Sequence, residues 1–294
     1  MQFIIWSLEY AEHIGGIVVL HKLGKTLSDL GYKVFLISSK TLSNSGCKLI
    51  NTNEAFVLSK QKESVVIYPE IVKGNPLDCQ KVVRWILYKP GFIGGETTFN
   101  AQELIFTFSK FFVSQTIYQS VPELSVIDSN IEKFQNKGLE RSGICFLLKK
   151  GKYKLTEQNH LNRYILPFLK DTSFLQAEDL ILDYQLSKPN LNVFLSDYFN
   201  KFKIFVSLDT SSYHSVQAAL CGCVSVVIPD VEITREDWIE KQPLMKFGVA
   251  YGFGDIIHST KTLSLVRDGI IHYEKNSLNT INNFLTLIKN KWFN

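Results

Sequence analysis

The residues best equipped for chemistry fall in one stretch, residues 209–229, DTSSYHSVQAALCGCVSVVIP. An apolar run ends just before Asp209, and Thr210, Ser211, Ser212 and Tyr213 stand where a helix should begin. Hydroxyls and unpaired backbone N–H groups at a helix start suit phosphate oxygens. Asp209 can accept hydrogen bonds from hydroxyl groups, and Gln217, eight residues on, can accept or donate. Ala218 and Ala219 allow close packing before Gly222 stops the helix. The same residues would also cap that helix, yet capping leaves the density of polar groups at a strand end unexplained.

Three further clusters carry chemistry. Lys149-Lys150-Gly151-Lys152-Tyr153-Lys154 follows an expected strand, which is where open α/β sheets bind ligands. Lysines beside a glycine turn can neutralise a diphosphate, although a solvated basic loop would read the same way. Gly15 and Gly16 stand at a strand-to-helix turn. They let a ligand approach the backbone, or simply allow a tight turn. His13 lies beside them, where it faces either a ligand or solvent. The pattern lacks the full GxGxxG, and Leu36-Ile37-Ser38 offers no acidic residue after the second strand, which counts against a dinucleotide cofactor. Glu96, within Gly94-Gly95-Glu96-Thr97-Thr98, could act as a base or orienter, or sit on an exposed loop. Arg84 and Lys89 read as surface charges on a helix.

The elements that must position these residues alternate. Residues 2–7 form an apolar strand, Ile17, Leu20, Leu23, Leu27 and Leu30 mark a helix face, Gly31 stops it, and residues 34–38 are a second strand. This βαβ unit implies a parallel sheet with a right-handed crossover. Residues 64–68, 104–108 and 115–117 read as strands, and 82–87 as helical. The polar stretch 130–138 ends in glycine and suggests a division into 1–138 and 139–277. Strands at 143–148, 204–208 and 224–228 then alternate with helices at 173–186, 197–200 and 215–220, and an amphipathic helix begins near 278.

Composition sets the outer limits. The chain has 294 residues, enough for two domains. Apolar residues make up 45% and charged residues 20%, an ordinary globular balance. A net charge of +4 is too weak for a nucleic-acid binder. It suits anionic substrates or an anionic membrane surface equally. Cys47, Cys79, Cys145, Cys221 and Cys223 are odd in number and form no CxxC, so reduced, buried thiols in a cytoplasmic protein are expected. No window of about 18 apolar residues occurs and the N-terminus does not read as a signal peptide. No histidine pair has HxH or HxxxH spacing, and no DxD or GxSxG occurs; Asp230-Val231-Glu232 comes nearest to DxD.

Taken together, three segments resemble the large retaining family of GT-B glycosyltransferases. Residues 13–34, HIGGIVVLHKLGKTLSDLGYKV, resemble that family's opening glycine loop, long helix and Gly-Tyr turn, and KKGKYK resembles its basic loop. In residues 209–229 the spacing matches an acidic residue, seven others, a glutamate, small residues and glycine, with Asp209 and Gln217 replacing the two glutamates. VVRWILYKPGFIGG and GVAYGFGDI look like bacterial polysaccharide-associated members. The resemblance implies an α/β, GT-B-like fold of two Rossmann-like lobes, with mostly parallel sheets facing across a cleft. The first lobe takes a glycan or lipid-linked acceptor, and helix 278–294 packs back on it. The second takes a nucleotide-diphosphate sugar.

The implied donor-binding residues are Gly15, Gly16, Lys149, Lys150, Lys152, Asp209, Thr210, Ser211, Ser212, Tyr213 and Gln217. Asp209, Glu96 and His13 are the catalytic candidates. No metal or other cofactor is required, the anomeric configuration is retained, and the protein works in surface polysaccharide synthesis at the cytoplasmic face of the membrane. The altered Asp209/Gln217 pair also motivates a non-catalytic nucleotide- or glycan-binding protein.

Overall fold

A computed structural model describes residues 1–42, 44–127, 129–156, 181–186, 188 and 190–293. The chain divides into two compact units, Met1–Asp128 with Glu274–Asn294, and Ser129–Tyr273.

The first unit alternates strands and helices: β1 (Gln2–Trp6), α1 (Gly15–Asp29), β2 (Lys33–Ile37), β3 (Lys48–Ile50), α2 (Thr52–Ser59), β4 (Ser64–Pro69), β5 (Val82–Ile86), β6 (Leu104–Thr107) and α3 (Lys110–Val113). Its six-stranded sheet has the order β3-β2-β1-β4-β5-β6, with parallel pairing throughout. Phe3, Ile5, Val65, Ile67, Val83 and Trp85 pack on one face with Leu20, Leu23 and Leu27 of α1. Ile4, Val66, Tyr68 and Val82 bury the other face. Burial on both faces explains why these strands are continuous apolar runs.

The second unit contains β7 (Ser142–Leu147), a 3₁₀ segment Lys149–Leu155, α4 (Leu191–Lys201), β8 (Phe202–Ser207), α5 (His214–Leu220), β9 (Val224–Val227), α6 (Arg235–Lys241), β10 (Val249–Tyr251) and α7 (Ile256–Thr262). Its four-stranded sheet, β10-β9-β8-β7, is also parallel. Leu147, Ser207, Val227 and Tyr251 are register partners in turn. The segments that leave these strands therefore emerge side by side at one carboxyl edge. Helix α8 (Val266–Trp292) starts in this unit and ends in the first. Its Ile281, Phe284, Leu285 and Ile288 join the first unit's core.

Several sequence expectations change. Residues 82–86 of the 82–87 run are strand β5, buried along its whole length, and not a helix. A short apolar run fits either element by periodicity, and burial on both faces selects the strand. Arg84 is accordingly a fully buried residue of β5, not a surface charge. Residues 115–117 form turns rather than a strand. Of the helix expected at 173–186, residues 173–180 lie outside the described residues, and Leu182–Gln185 is a 3₁₀ turn. Phe134 lies in the second unit's core, which places the polar stretch 130–138 in that unit, with the division between the units at 128/129.

Candidate functional site

The carboxyl edge of the second sheet gathers the polar residues. Just past β8, the Asp209 carboxylate Oδ1 accepts from the Ser211 N–H at 3.0 Å and from its hydroxyl at 2.8 Å. Asp209 thereby fixes the turn that leads into α5. Thr210 Oγ1 donates to Asp230 Oδ2 at 2.9 Å. The Thr210 carbonyl accepts from Trp238 Nε1 at 3.0 Å, and Trp238 stacks on Tyr251 with ring centroids 4.8 Å apart. Tyr213 OH donates to the Ser129 carbonyl at 3.3 Å. These bonds hold the Thr210, Ser211 and Tyr213 hydroxyls and the backbone at Thr210 and Ser211 in place.

The basic segment lies against it. Were Gly151 to carry a Cβ, that atom would lie 1.9 Å from the Leu208 carbonyl oxygen and 2.7 Å from the Asp209 nitrogen. Only glycine permits this approach. Lys149 sits at φ 35°, a left-handed conformation that costs energy for a non-glycine residue. The Asp183 carboxylate secures it by accepting the N–H groups of Leu148 (2.7 Å) and Lys149 (2.6 Å).

The Lys149 ammonium reaches His214 Nε2 at 3.3 Å, and His214 Nδ1 pairs with Gln217 Oε1 at 2.7 Å. Burial lowers the Lys149 pKa, Asp209 and Asp183 oppose that, and Lys150 adds to it. His214 is pushed down to about 3, first by burial and then by the Lys149 charge, against the Gln217 hydrogen bond. The imidazole is therefore neutral at physiological pH.

The lysines of this segment do different jobs. Lys152 is exposed and Lys150 half-buried. Lys154 is buried and pairs with Asp230 Oδ1 at 2.8 Å, while its ammonium also donates to the Ile228 carbonyl at 2.7 Å. Tyr153 OH donates to the same Asp230 oxygen at 2.9 Å. Burial raises the Asp230 pKa, but Lys154 and the Lys154, Tyr153 and Thr210 hydrogen bonds outweigh it, and the net shift is downward. Asp230 is thus spent on structure, which removes it from the DxD-like reading. Among the described residues, no cluster of three or more His, Cys, Asp or Glu is arranged to hold a metal.

The remaining sequence candidates belong to the first unit. Gly15 and Gly16 open α1, and Ile14 ahead of them offers no side-chain cap. Gly15 has no positive φ, and no atom lies within 4 Å of where its Cβ would be. A tight turn therefore does not explain it. The β1–α1 loop is fixed from below by buried His21, which bonds the Leu8 carbonyl at 3.0 Å and Thr41 Oγ1 at 2.8 Å. His13 is exposed on that loop. Glu96 Oε2 accepts the Gly74 N–H at 3.2 Å, which ties its loop to the segment after β4. Sequence reasoning singled out neither Asp183 nor His214 nor Glu70. Glu70 is a buried carboxylate after β4 whose Oε2 accepts the Leu87 N–H at 2.9 Å.

No family model matches the sequence, and no curated protein is similar to it. Solved structures do match. A glycosyltransferase from Rickettsia africae ESF-5 aligns over 100% of this chain and 99% of its own, with 12% identity and a TM-score of 0.50. The chain shares that protein's fold. The α/β, GT-B-like class with two Rossmann-like parallel sheets, expected from the sequence, is borne out. The kitacinnamycin glycotransferase aligns over 99% of both chains at 9% identity and TM-score 0.47. Spinosyn rhamnosyltransferase SpnG covers 99% of this chain and 100% of its own at 11% identity and TM-score 0.40.

Proposed function

We propose that the chain is a glycosyltransferase that takes a sugar from a nucleotide-diphosphate donor at the carboxyl edge of the second sheet. The carrying observation is the convergence of Lys149, the Asp209–Ser212 turn and the His214–Gln217 pair on that edge. A cationic amine beside a turn whose shape is already fixed suits a diphosphate, which the Thr210 and Ser211 donors reach by exchanging their Asp230 and Asp209 bonds. The fold shared with the Rickettsia glycosyltransferase agrees.

In the reaction, the bond between the anomeric carbon and the diphosphate oxygen breaks, and the diphosphate leaves with the electron pair. An acceptor hydroxyl makes the new bond to the anomeric carbon and passes its proton to the departing diphosphate oxygen. Lys149, Lys150 and Lys152 stabilise the leaving charge, so the reaction needs no metal. Asp209 orients the sugar. The first unit takes a glycan or lipid-linked acceptor near the catalytic candidates His13 and Glu96. The configuration is retained, and the product serves surface polysaccharide synthesis at the inner face of the membrane.

The test is a panel of UDP-, GDP-, ADP- and dTDP-sugars, read by calorimetry for binding and by mass spectrometry for hydrolysis or transfer. At least one should bind and turn over. Lys149→Ala and Asp209→Ala should lower that turnover by about 100-fold with unchanged circular dichroism. A panel with no binding and no turnover sinks the reading.

A second reading has its own observation. Asp209 Oδ1 is engaged by Ser211 and Gln217 Oε1 by His214. Both match a non-catalytic nucleotide- or glycan-binding protein, for which nucleotide binding without turnover on any acceptor is the expected result.

A further inference from the structure

His214 is neither a surface histidine nor half of a metal pair. It stands at the start of α5 with both ring nitrogens engaged, one by Lys149 across 65 positions of sequence and one by Gln217 a turn away. A lysine ammonium can only donate, so Nε2 must be the acceptor. That leaves the proton on Nδ1, which must donate, so Gln217 must present its oxygen. The whole chain of bonds, Lys149 to His214 to Gln217, is therefore fixed in one direction. Lys149 itself starts from a left-handed backbone held by Asp183. Its side chain is thus secured at the root and at the tip.

We propose that His214 is a positioning residue, which holds the Lys149 ammonium at the sheet edge for a diphosphate and is itself oriented by Gln217. The inference rests on the donor-site reading given above and adds a role to it. Gln217 here serves a neighbouring ring, not the ligand, through its side-chain oxygen. The charged groups that face this relay are Lys149 itself and, around Lys149, Asp209, Lys150 and Asp183. Among the described residues no carboxylate contacts the imidazole, which is consistent with a ring that stays neutral and keeps a lone pair for Lys149.

Two measurements test this on the full chain. The first needs no ligand. Histidine-selective 15N NMR of the wild type should show His214 as the Nδ1–H tautomer, without protonation from pH 8 to pH 5. In Gln217→Glu the ring gains a carboxylate partner and should titrate at a higher pH than in the wild type. An Nε2–H tautomer, or ordinary titration near pH 6.5 in the wild type, overturns the proposal.

The second is calorimetric binding of inorganic pyrophosphate and of UDP, GDP, ADP and dTDP. Lys149→Met and His214→Leu should each weaken binding about 10- to 100-fold, as for loss of one charge-assisted contact. The double variant should be no weaker than Lys149→Met alone, since the two act as one unit. His214→Gln, whose amide oxygen can accept from Lys149, should recover most of the loss. Unchanged affinity in His214→Leu, or fully additive losses, overturns the positioning role while the donor reading stands. If the wild type binds none of these ligands, both fall.

Discussion

At the scale of single residues, the candidate site depends on contacts with very little tolerance. Gly151 is the sharpest case. Any side chain there would meet the Leu208 carbonyl carbon and oxygen, at 2.1 and 1.9 Å from its Cβ. These are backbone atoms just past the central strand β8, held in place by the Leu208 N–H bond to the Leu147 carbonyl at 2.8 Å. Gly151→Ala should therefore destabilise the second unit by about 3 kcal/mol, the upper part of the overpacking range. A urea midpoint within error of the wild type would show that the segment can relax away from β8. Sequence alone marked Gly151 as a turn glycine beside lysines. It could not show that the demand comes from strand β8, because that contact joins residues far apart in the chain. The His214 relay was hidden for the same reason. Each partner looks ordinary in its own segment, and only the parallel register of β7 and β8 places Lys149 beside His214.

At the scale of elements, β5 shows how a charged side chain can belong inside a sheet. Arg84 is wholly buried between the rings of Tyr68 and Phe99, at 5.2 and 5.1 Å from their centroids. Its guanidinium pairs with Glu103 through Nε at 2.9 Å and donates to the carbonyls of Val72 and Gly74 at 2.6 and 2.7 Å. The pair thus anchors the segment after β4, whose Gly74 N–H in turn holds Glu96. Glu103→Leu strands a buried cation and should cost about 3–5 kcal/mol. By contrast Lys60→Ala, which breaks the exposed Lys60–Asp78 pair, should cost under about 1 kcal/mol. Chemical denaturation of the two variants side by side would decide the point, and equal losses would contradict it. Here the sequence misled: one arginine inside an apolar run gave it helical spacing, whereas the paired carboxylate lies 19 positions away. Strands β7, β8 and β9 were legible because their apolar runs are bounded by glycine or polar residues. Short β3 and β10, three residues each, are too brief to show a period although glycine or polar residues flank them.

At the scale of the whole chain, one histidine among the described residues of each unit has its pKa lowered by desolvation, buried His21 in the first and half-buried His214 in the second. His21 lies under the β1–α1 loop, and burial lowers its pKa against the Leu8 hydrogen bond. His214 lies at the second sheet's edge with a value of about 3. In the unfolded chain both would titrate near 6.5. Below that pH the unfolded state binds protons that the native state refuses, so stability falls as pH falls. For His214 the window runs from about pH 6.5 down to its folded value, with a limiting slope of ~1.4 kcal/mol per pH unit. Asp230 has the opposite kind of history, because its folded pKa is lowered. Its contribution is intact above the unfolded carboxylate value and is lost as pH drops through the still lower folded value, so it is fully present near pH 6 and adds no pH dependence there. Urea unfolding at pH 7.5, 6.5 and 5.5 therefore isolates the histidines. Both units should unfold at lower urea at pH 5.5 than at pH 7.5, and His214→Leu should flatten the response of the second unit alone. A wild-type midpoint that stays level across this range would mean that neither ring is kept from its proton, and the neutral imidazole on which the Lys149 relay depends would go with it.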